Sequence, residues 1–390
     1  MQSNYKRLGD YIKEVNIRNK DLNNYPLLGV SIQKVLMPSI ANIIGTDMST
    51  YKLIKKNQFA YGPVTSRNGD KISIALAEKY ENALLSQAYT VFEVVDKNEL
   101  HPEYLMMWFK RPEFDRYARF ISHGSAREIF SWAEMCDTLL PIPSPEKQLE
   151  IVREYNVIQN RIKLNDDLIT KLEETAQAIY KQWFVCFEFP NENGLPYKSS
   201  GGEMVKSELE EIPKGWEVGN IGELFTFQRG HDLPSQNRKF GKYPIVASSG
   251  IAEFHDEYKI NKRTIITGRS GSLGELFLFD QPCWPLNTTL YIIEFKKSRP
   301  FYALYFLQTI NLKEMGAGSA VPTLNRNDIH GLIKIIPAIN IIELFEAKIH
   351  KIYFLKENYK NQNQKLAELQ SLLLSRLATI NLEVFELIAN

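Results

Sequence analysis

The residues that could act on another molecule fall into two sets, one in each half of this 390-residue chain. The first set is Arg67, Asn68, Lys71, His123, Ser125 and Arg127. The second is Arg229, His231, Arg269, Ser270, Asn287, Ser319, Asn325 and Arg326. Arg and Asn present forked donors and acceptors that match the edges of guanine and adenine. Lys and Arg neutralise phosphates, and hydroxyls and backbone amides fix register on a backbone. The run Arg269-Ser270-Gly271-Ser272 is a donor-rich loop whose main chain can approach a phosphate closely. Taken singly, each of these residues also suits a solvated surface or a turn. Taken together, they offer recognition and no bond-breaking chemistry.

A search for reactive constellations returns little. No G-x-x-x-x-G-K-[ST] phosphate loop occurs, and no G-x-G-x-x-G follows a strand pattern. Gly268, Gly271 and Gly274 mark a turn-rich loop and not a dinucleotide fingerprint. No Asn-Pro-Pro-aromatic tetrapeptide of the amino-methyltransferase kind is present, and no G-x-S-x-G elbow. The histidines form no H-x-H or H-E-x-x-H pattern, so no metal site is expected. Glu257-Tyr258-Lys259 matches the tail of a nuclease-type E-x-K, a triplet short enough to arise by chance. No catalytic residue and no cofactor of the chain's own is therefore expected.

The bulk composition sets the frame. With 44% hydrophobic and 24% charged residues the chain reads as globular, with length for two to three domains. The three cysteines are far apart with no C-x-x-C pair, which fits a reducing cytoplasm. No apolar run has the length of a membrane span, and the first residues lead into no signal-peptide core. The net charge of +1 argues against a surface coated in phosphate contacts. The balance is uneven, however: between Thr226 and Arg269, eight Lys and Arg stand against four Asp and Glu. That excess reads either as a solvated face or as a local basic patch.

The elements that must position these residues come in two copies. Gly124-Ser125-Ala126 returns as Gly318-Ser319-Ala320, 194 positions later, and Pro143/Pro337, Ile158/Ile352 and Leu172/Leu366 keep the same offset. Leu8-Gly9-Asp10-Tyr11-Ile12 parallels Ile221-Gly222-Glu223-Leu224-Phe225, and a glycine-bounded segment follows in each copy, Gly62 to Gly69 and Gly268 to Gly274. The ends of the copies agree while their middles differ in length and content, as two readers of different targets would. Strand patterns cover 84–95, 264–267, 276–279 and 290–295, and short helices open on prolines at 102–109 and 300–308. The fold class is mixed α/β (α+β).

A long helix is expected after each unit. Ile151, Tyr155, Ile158, Ile162, Asn165, Ile169, Leu172, Ala176, Ile179 and Trp183 alternate at spacings of four and three, a heptad seam with one polar interruption. At 1.5 Å per residue the helix over 146–184 would be roughly 55–60 Å long. The second seam reads Phe345, Ile349, Ile352, Leu355, Tyr359, Gln362, Leu366, Leu369 and Leu373, with a stammer where two spacings of three meet. An antiparallel pair within one chain buries both seams; two separate homodimer coils are the alternative. Asn165 either fixes the register of the pair or sits at its edge. The expected organisation is a recognition domain over 1–144, a helical spacer over 145–185, a polar turn-rich linker over 186–215, a second recognition domain over 216–337 and a second helical spacer over 338–380.

At this point the sequence resembles a known family, the specificity subunits of type I restriction–modification systems. The resemblance spans essentially the whole chain. It is strongest in Leu140-Pro141-Ile142-Pro143 with Glu146-Lys147-Gln148-Leu149-Glu150-Ile151-Val152, and in Leu172-Glu173-Glu174-Thr175-Ala176-Gln177-Ala178-Ile179-Tyr180-Lys181-Gln182-Trp183-Phe184. Phe187-Glu188-Phe189-Pro190-Asn191 and Ile212-Pro213-Lys214-Gly215-Trp216 fit as well. The resemblance implies two target-recognition domains, each reading one half of a bipartite DNA site, and helices that set the spacing and dock two methylation (M) subunits. It implies restriction (R) subunits as further partners, with S-adenosylmethionine and ATP/Mg belonging to the partners. The second helix departs from the pattern, with Lys356 and Gln362 where apolar residues are expected. The competing readings are a nuclease with a degenerate motif and a coiled-coil scaffold that binds no DNA.

Overall fold

Apolar segments too short for helices become strands buried on both faces, as at Phe59–Tyr61, Ile74–Leu76 and Thr264–Gly268, where every residue is buried. A computed structural model describes residues 5–41, 45–66, 69, 71–123, 128–316 and 322–378. The chain divides into two compact units, residues 1–165 with 361–390, and residues 166–360.

The first unit contains β1 (Tyr5–Arg7), β2 (Ile12–Val15), β3 (Leu27–Val30), β4 (Leu36–Pro38), β5 (Lys52–Lys55), β6 (Phe59–Tyr61), β7 (Ile74–Leu76), β8 (Asn82–Leu85), β9 (Thr90–Val94) and β10 (Leu139–Pro141). One sheet has the order β2-β9-β6-β7 and is antiparallel throughout. The other has the order β4-β3-β8-β5, with β3 and β8 parallel. β1 closes the unit by pairing with β10. Helices α1 (Pro102–Lys110), α2 (Pro112–Ile121) and α3 (Trp132–Asp137) follow the sheets. Pro starts α1 and α2, where its missing N–H costs nothing, and a reciprocal Ser131–Glu134 box starts α3. The core centres on Phe59 stacked on Phe92 at 4.8 Å, with Phe109 of α1 edge-on to both. The strand pattern over 84–95 resolves into two strands, because residues 86–89 turn between β8 and β9.

The second unit repeats this plan. It contains β11 (Met204–Lys206), β12 (Glu211–Pro213), β13 (Glu217–Asn220), β14 (Phe225–Arg229), β15 (Tyr243–Ala247), β16 (Gly250–His255), β17 (Thr264–Gly268), β18 (Leu276–Phe279), β19 (Trp284–Pro285), β20 (Thr289–Phe295) and β21 (Ile333–Ile336). The order β14-β20-β17-β18 matches β2-β9-β6-β7 strand for strand. The order β16-β15-β19 matches β4-β3-β8, including the one parallel pair. β13 pairs with β21 as β1 does with β10.

The 186–215 segment, expected as a polar linker, is folded. β11 and β12 form a hairpin, Phe187, Phe189 and Ile212 are buried, and Phe189 stacks between Tyr197 at 4.5 Å and Trp216 at 5.2 Å. Its polar composition hid three aromatic and aliphatic anchors.

The long helices are α4, which runs over Pro145–Tyr180 before a wider turn at Lys181–Val185, and α9, which runs over Ile339–Arg376; the shorter α5 (Ile221–Leu224), α6 (Pro300–Gln308), α7 (Leu312–Met315) and α8 (Arg326–His330) lie between them in sequence. All ten seam positions read on α4 are buried or partly buried. On α9 the seam differs from the expected one. Leu355, Gln362 and Leu369 are exposed, and Lys356, Asn363 and Gln370 turn inward in their place. The inward series 345, 349, 352, 356, 359, 363, 366, 370 and 373 alternates fours and threes without a break, so the stammer vanishes. The three polar seam residues recur every seventh position. In the first unit Asn165, fully buried, donates to Asn363 Oδ1 at 2.8 Å and to Gln362 Oε1 at 3.4 Å, while Leu374 and Leu377 join the cluster of Ile151, Val152 and Tyr155. In the second unit Lys356 bonds Glu173, and Trp183, Phe184 and Tyr180 pack on Phe345. Within each unit the two helices therefore run antiparallel.

Candidate nucleic-acid interface

The sheet of the second unit gathers its candidates at one end. Because β14, β20 and β17 alternate in direction, the end of β14, the start of β20 and the end of β17 are neighbours, with Arg229 opposite Leu290 and Gly268 opposite Thr289. Arg229 Nε donates to the Asn287 carbonyl at 3.3 Å, and the Asn287 amide donates to Asp232. The amides of Arg269 and Ser270 both bond the Thr288 carbonyl, at 2.8 and 3.2 Å. His231 Nε2 lies 3.3 Å from the Tyr291 hydroxyl. Burial, and then the nearby Lys259, hold the His231 imidazole below its ordinary pKa against the pull of Asp232. It is neutral near pH 7 and able both to donate and to accept. Arg229, His231, Arg269, Ser270 and Asn287 thus form one cluster.

The glycine loop after β17 is tied to the segment that follows the second Gly-Ser-Ala motif. Leu324 N–H bonds the Arg269 carbonyl at 2.8 Å, and Ser270 bridges Thr323. The Gly268 backbone approaches Ser272 so closely that a Cβ there would overlap its carbonyl, so this turn needs glycine. Asn325 and Arg326 follow immediately. Asn325 is committed to capping α8, accepting from Asn327 N–H at 3.0 Å, while Arg326 is exposed. Ser319 lies outside the described residues.

The first unit has the same wiring. The loop between β6 and β7 leaves the corresponding end of its sheet, where Tyr61 faces Thr90 and Ile74. Thr65 N–H bonds Glu128 O and Phe130 N–H bonds Pro63 O, both at 2.9 Å, joining this loop to the segment after the first Gly-Ser-Ala motif. Lys71 is exposed on the loop. His123 exchanges backbone bonds with Ile129 and places Nδ1 2.9 Å from Glu134. Arg67, Asn68, Ser125 and Arg127 lie outside the described residues.

Sequence reading missed the partners that hold these groups. Asp232 and Tyr291 orient the cluster, and Lys259 sits over the Trp284 ring at 4.5 Å. In the first unit Lys34 Nζ reaches Asp115 at 2.7 Å with both side chains buried. Among the described residues, no group of three or more His, Cys, Asp and Glu could hold a metal ion, and no helix is long and apolar enough to cross a membrane.

Fold and site define a chain of two like α/β units, each with a glycine loop and a polar sheet end, accompanied by two long helices. Over much of its length the chain is similar to type I restriction–modification specificity subunits. Residues 213–371 match the family model described as the type I restriction modification DNA specificity domain. A type I restriction enzyme specificity subunit of Methanocaldococcus jannaschii (MjaIX) is 29% identical over 75% of this chain and 72% of that protein. The HindI specificity subunit of Haemophilus influenzae is 22% identical over 95% of this chain and 97% of its own length. In fold, the chain is similar to the S subunit of a type I restriction–modification system from M. genitalium, with a TM-score of 0.59, 16% identity and coverage of 96% and 95% of the two chains.

Proposed function

We propose that the chain is the DNA sequence-recognition subunit of a type I restriction–modification complex and is not catalytic by itself. The observation that carries this reading is the repeated wiring: in both units a glycine loop leaves the same end of the same four-stranded sheet and bonds the segment after the Gly-Ser-Ala motif. Two like frames with unlike contents suit a bipartite, asymmetric duplex site. Residues 1–144 and 216–337 are the two target-recognition domains, each reading one half-site. The helical segments 145–185 and 338–380 set the distance between half-sites and dock two methylation subunits, with 186–215 as the connection between repeats. Half-site spacing then follows from the distance between readers. Restriction subunits complete the complex in the cytoplasm, and S-adenosylmethionine and ATP/Mg are bound by the partners. A partner that modifies a base must extrude it from the stack, which a duplex held at two points permits.

Arg229, Arg269 and Asn287 supply base-edge or phosphate contacts in the second unit, and Lys71 and His123 in the first. The test is methylome sequencing of a host expressing the chain with its methylation subunit. The expected result is a split motif carrying modified adenines, altered in one half only when the second unit is exchanged. Modification that persists without this chain sinks the reading.

A further inference from the structure

An aromatic side chain held in solvent by a rigid, basic loop stands out in the second unit. Phe240 is 96% exposed at the centre of Arg238-Lys239-Phe240-Gly241-Lys242, which carries three cations and no acid. The loop is fastened on both sides of it. Lys239 N–H bonds the buried His255 ring at 3.1 Å. Gly241 lies so close to the His255–Asp256 backbone that a Cβ would overlap the His255 carbonyl and the Asp256 amide. Arg238 is tied to the Leu233 carbonyl at 3.3 Å and to Glu253 at 3.2 Å. The backbone thus pins Phe240 outward where collapse onto the protein would be the ordinary outcome for so apolar a side chain.

Resting on the DNA-recognition reading above, we propose that Phe240 is a wedge that enters the duplex and unstacks one base step, while Lys239 and Lys242 take the flanking phosphates. Charge selects the occupant: an apolar tip framed by cations matches a polyanion with a stack of flat bases inside it. Proteins that kink DNA insert such apolar wedges between base steps. The wedge adds discrimination for easily unstacked steps at positions that no hydrogen bond reads.

The experiment uses the full chain assembled with its methylation subunit and a duplex carrying the modified motif, with 2-aminopurine placed in turn along one half-site. Wild type is expected to raise the fluorescence at one step. Phe240→Ala abolishes that signal and weakens binding about five- to 150-fold, the range for losing one aromatic–base stack. It leaves the salt dependence of binding unchanged. Phe240→Trp keeps both signal and affinity. Lys239→Ala or Lys242→Ala reduces the slope of affinity against salt by about one. Because Phe240 is exposed, its variants are expected to melt like the wild type, so loss of folding does not confuse the readout. If Phe240→Ala binds as tightly as wild type with the same fluorescence, the wedge is overturned and the DNA reading stands. If it impairs assembly with the methylation subunit while the assembled fraction binds normally, Phe240 is a protein contact and the wedge is again overturned. If wild type itself shows no preference for the motif, both readings fall.

Discussion

The two units build the same hairpin and fasten it by different chemistry. β3–β4 in the first and β15–β16 in the second occupy equivalent places in equivalent sheets, and each has a residue with positive φ at its bend, Lys34 in the turn at 64° and Gly250 directly after it at 106°. In the first unit that residue carries a side chain that dives inward. Lys34 Nζ meets Asp115 of α2, and the same carboxylate oxygen accepts Ile72 N–H at 3.1 Å. In the second unit the residue has no side chain to send inward, and the Phe277 ring lies beside it, 3.4 Å from where a Cβ would stand. The frame, strand order and direction, is what the repeat preserves. The fastening inside the frame is free to differ, which lets the middles diverge in length and content while both sheet ends stay formed.

The largest effect should come from breaking the first fastening. Asp115→Ala leaves the buried Lys34 ammonium with the Phe109 carbonyl but no counter-charge, and Ile72 N–H without its acceptor. A loss of about 3–5 kcal/mol is expected, as for other broken buried pairs. Hydrogen exchange read by mass spectrometry should localise the loss to the first unit. The double change Lys34→Met with Asp115→Leu should recover most of it, because apolar residues of similar volume replace such pairs at little cost. If Asp115→Ala is as stable as wild type, the hairpin is not held by charge and the contrast between units dissolves.

How much of this was legible in the sequence follows from the kind of signal involved. The seam of α4, the strands β18 and β20 and the start of α1 were readable because periodicity and proline position report local geometry directly. The seam of α9 was misread because Leu355 and Leu369 look apolar enough to be core, whereas the inward positions belong to Lys356, which Glu173 of α4 pairs, and Gln370. The candidate cluster at the second sheet end was found by residue type. Its orienting groups Asp232 and Tyr291 were not, since each bonds a member of the cluster 55 or 60 positions away in sequence. Phe240 was passed over because an aromatic residue defaults to the interior.

A smaller effect is expected at the polar seam of the first unit. Asn165→Leu removes the 2.8 Å donor from Asn363, leaving a carboxamide oxygen facing an apolar neighbour, a cost of about 1–3 kcal/mol. Asn165→Leu combined with Asn363→Leu should be at least as stable as wild type, since a leucine pair at a seam packs well. Urea denaturation of the two variants separates the outcomes, and equal destabilisation by both would show that the amides are not partners. Next comes the glycine fastening. Gly250→Ala forces a side chain into φ 106° and against Phe277, and about 1–3 kcal/mol is expected, confined to exchange in the second unit.

The smallest effect is a pH dependence that Glu346 places in the second unit. Glu346 of α9 accepts from Phe301 N–H at 2.9 Å and from Tyr302 N–H at 3.4 Å at the first turn of α6. Burial nevertheless pushes its carboxyl up to about 7 from the ordinary 4.5, against those hydrogen bonds and the pull of Arg263 and Arg299. Between these two values the folded chain binds more protons at this site than the unfolded chain does. Stability from Glu346 is therefore full below pH 4.5 and is lost as pH rises through 7. The group is only partly buried, so solvent screening should hold the change below about 1 kcal/mol. Glu346→Gln keeps an acceptor for both amides and cannot ionise. Its urea midpoint should fall less than that of wild type between pH 5 and pH 7.5. An identical pH profile for the two proteins would mean that the helix terminus and the arginines outweigh burial and keep the carboxylate charged throughout.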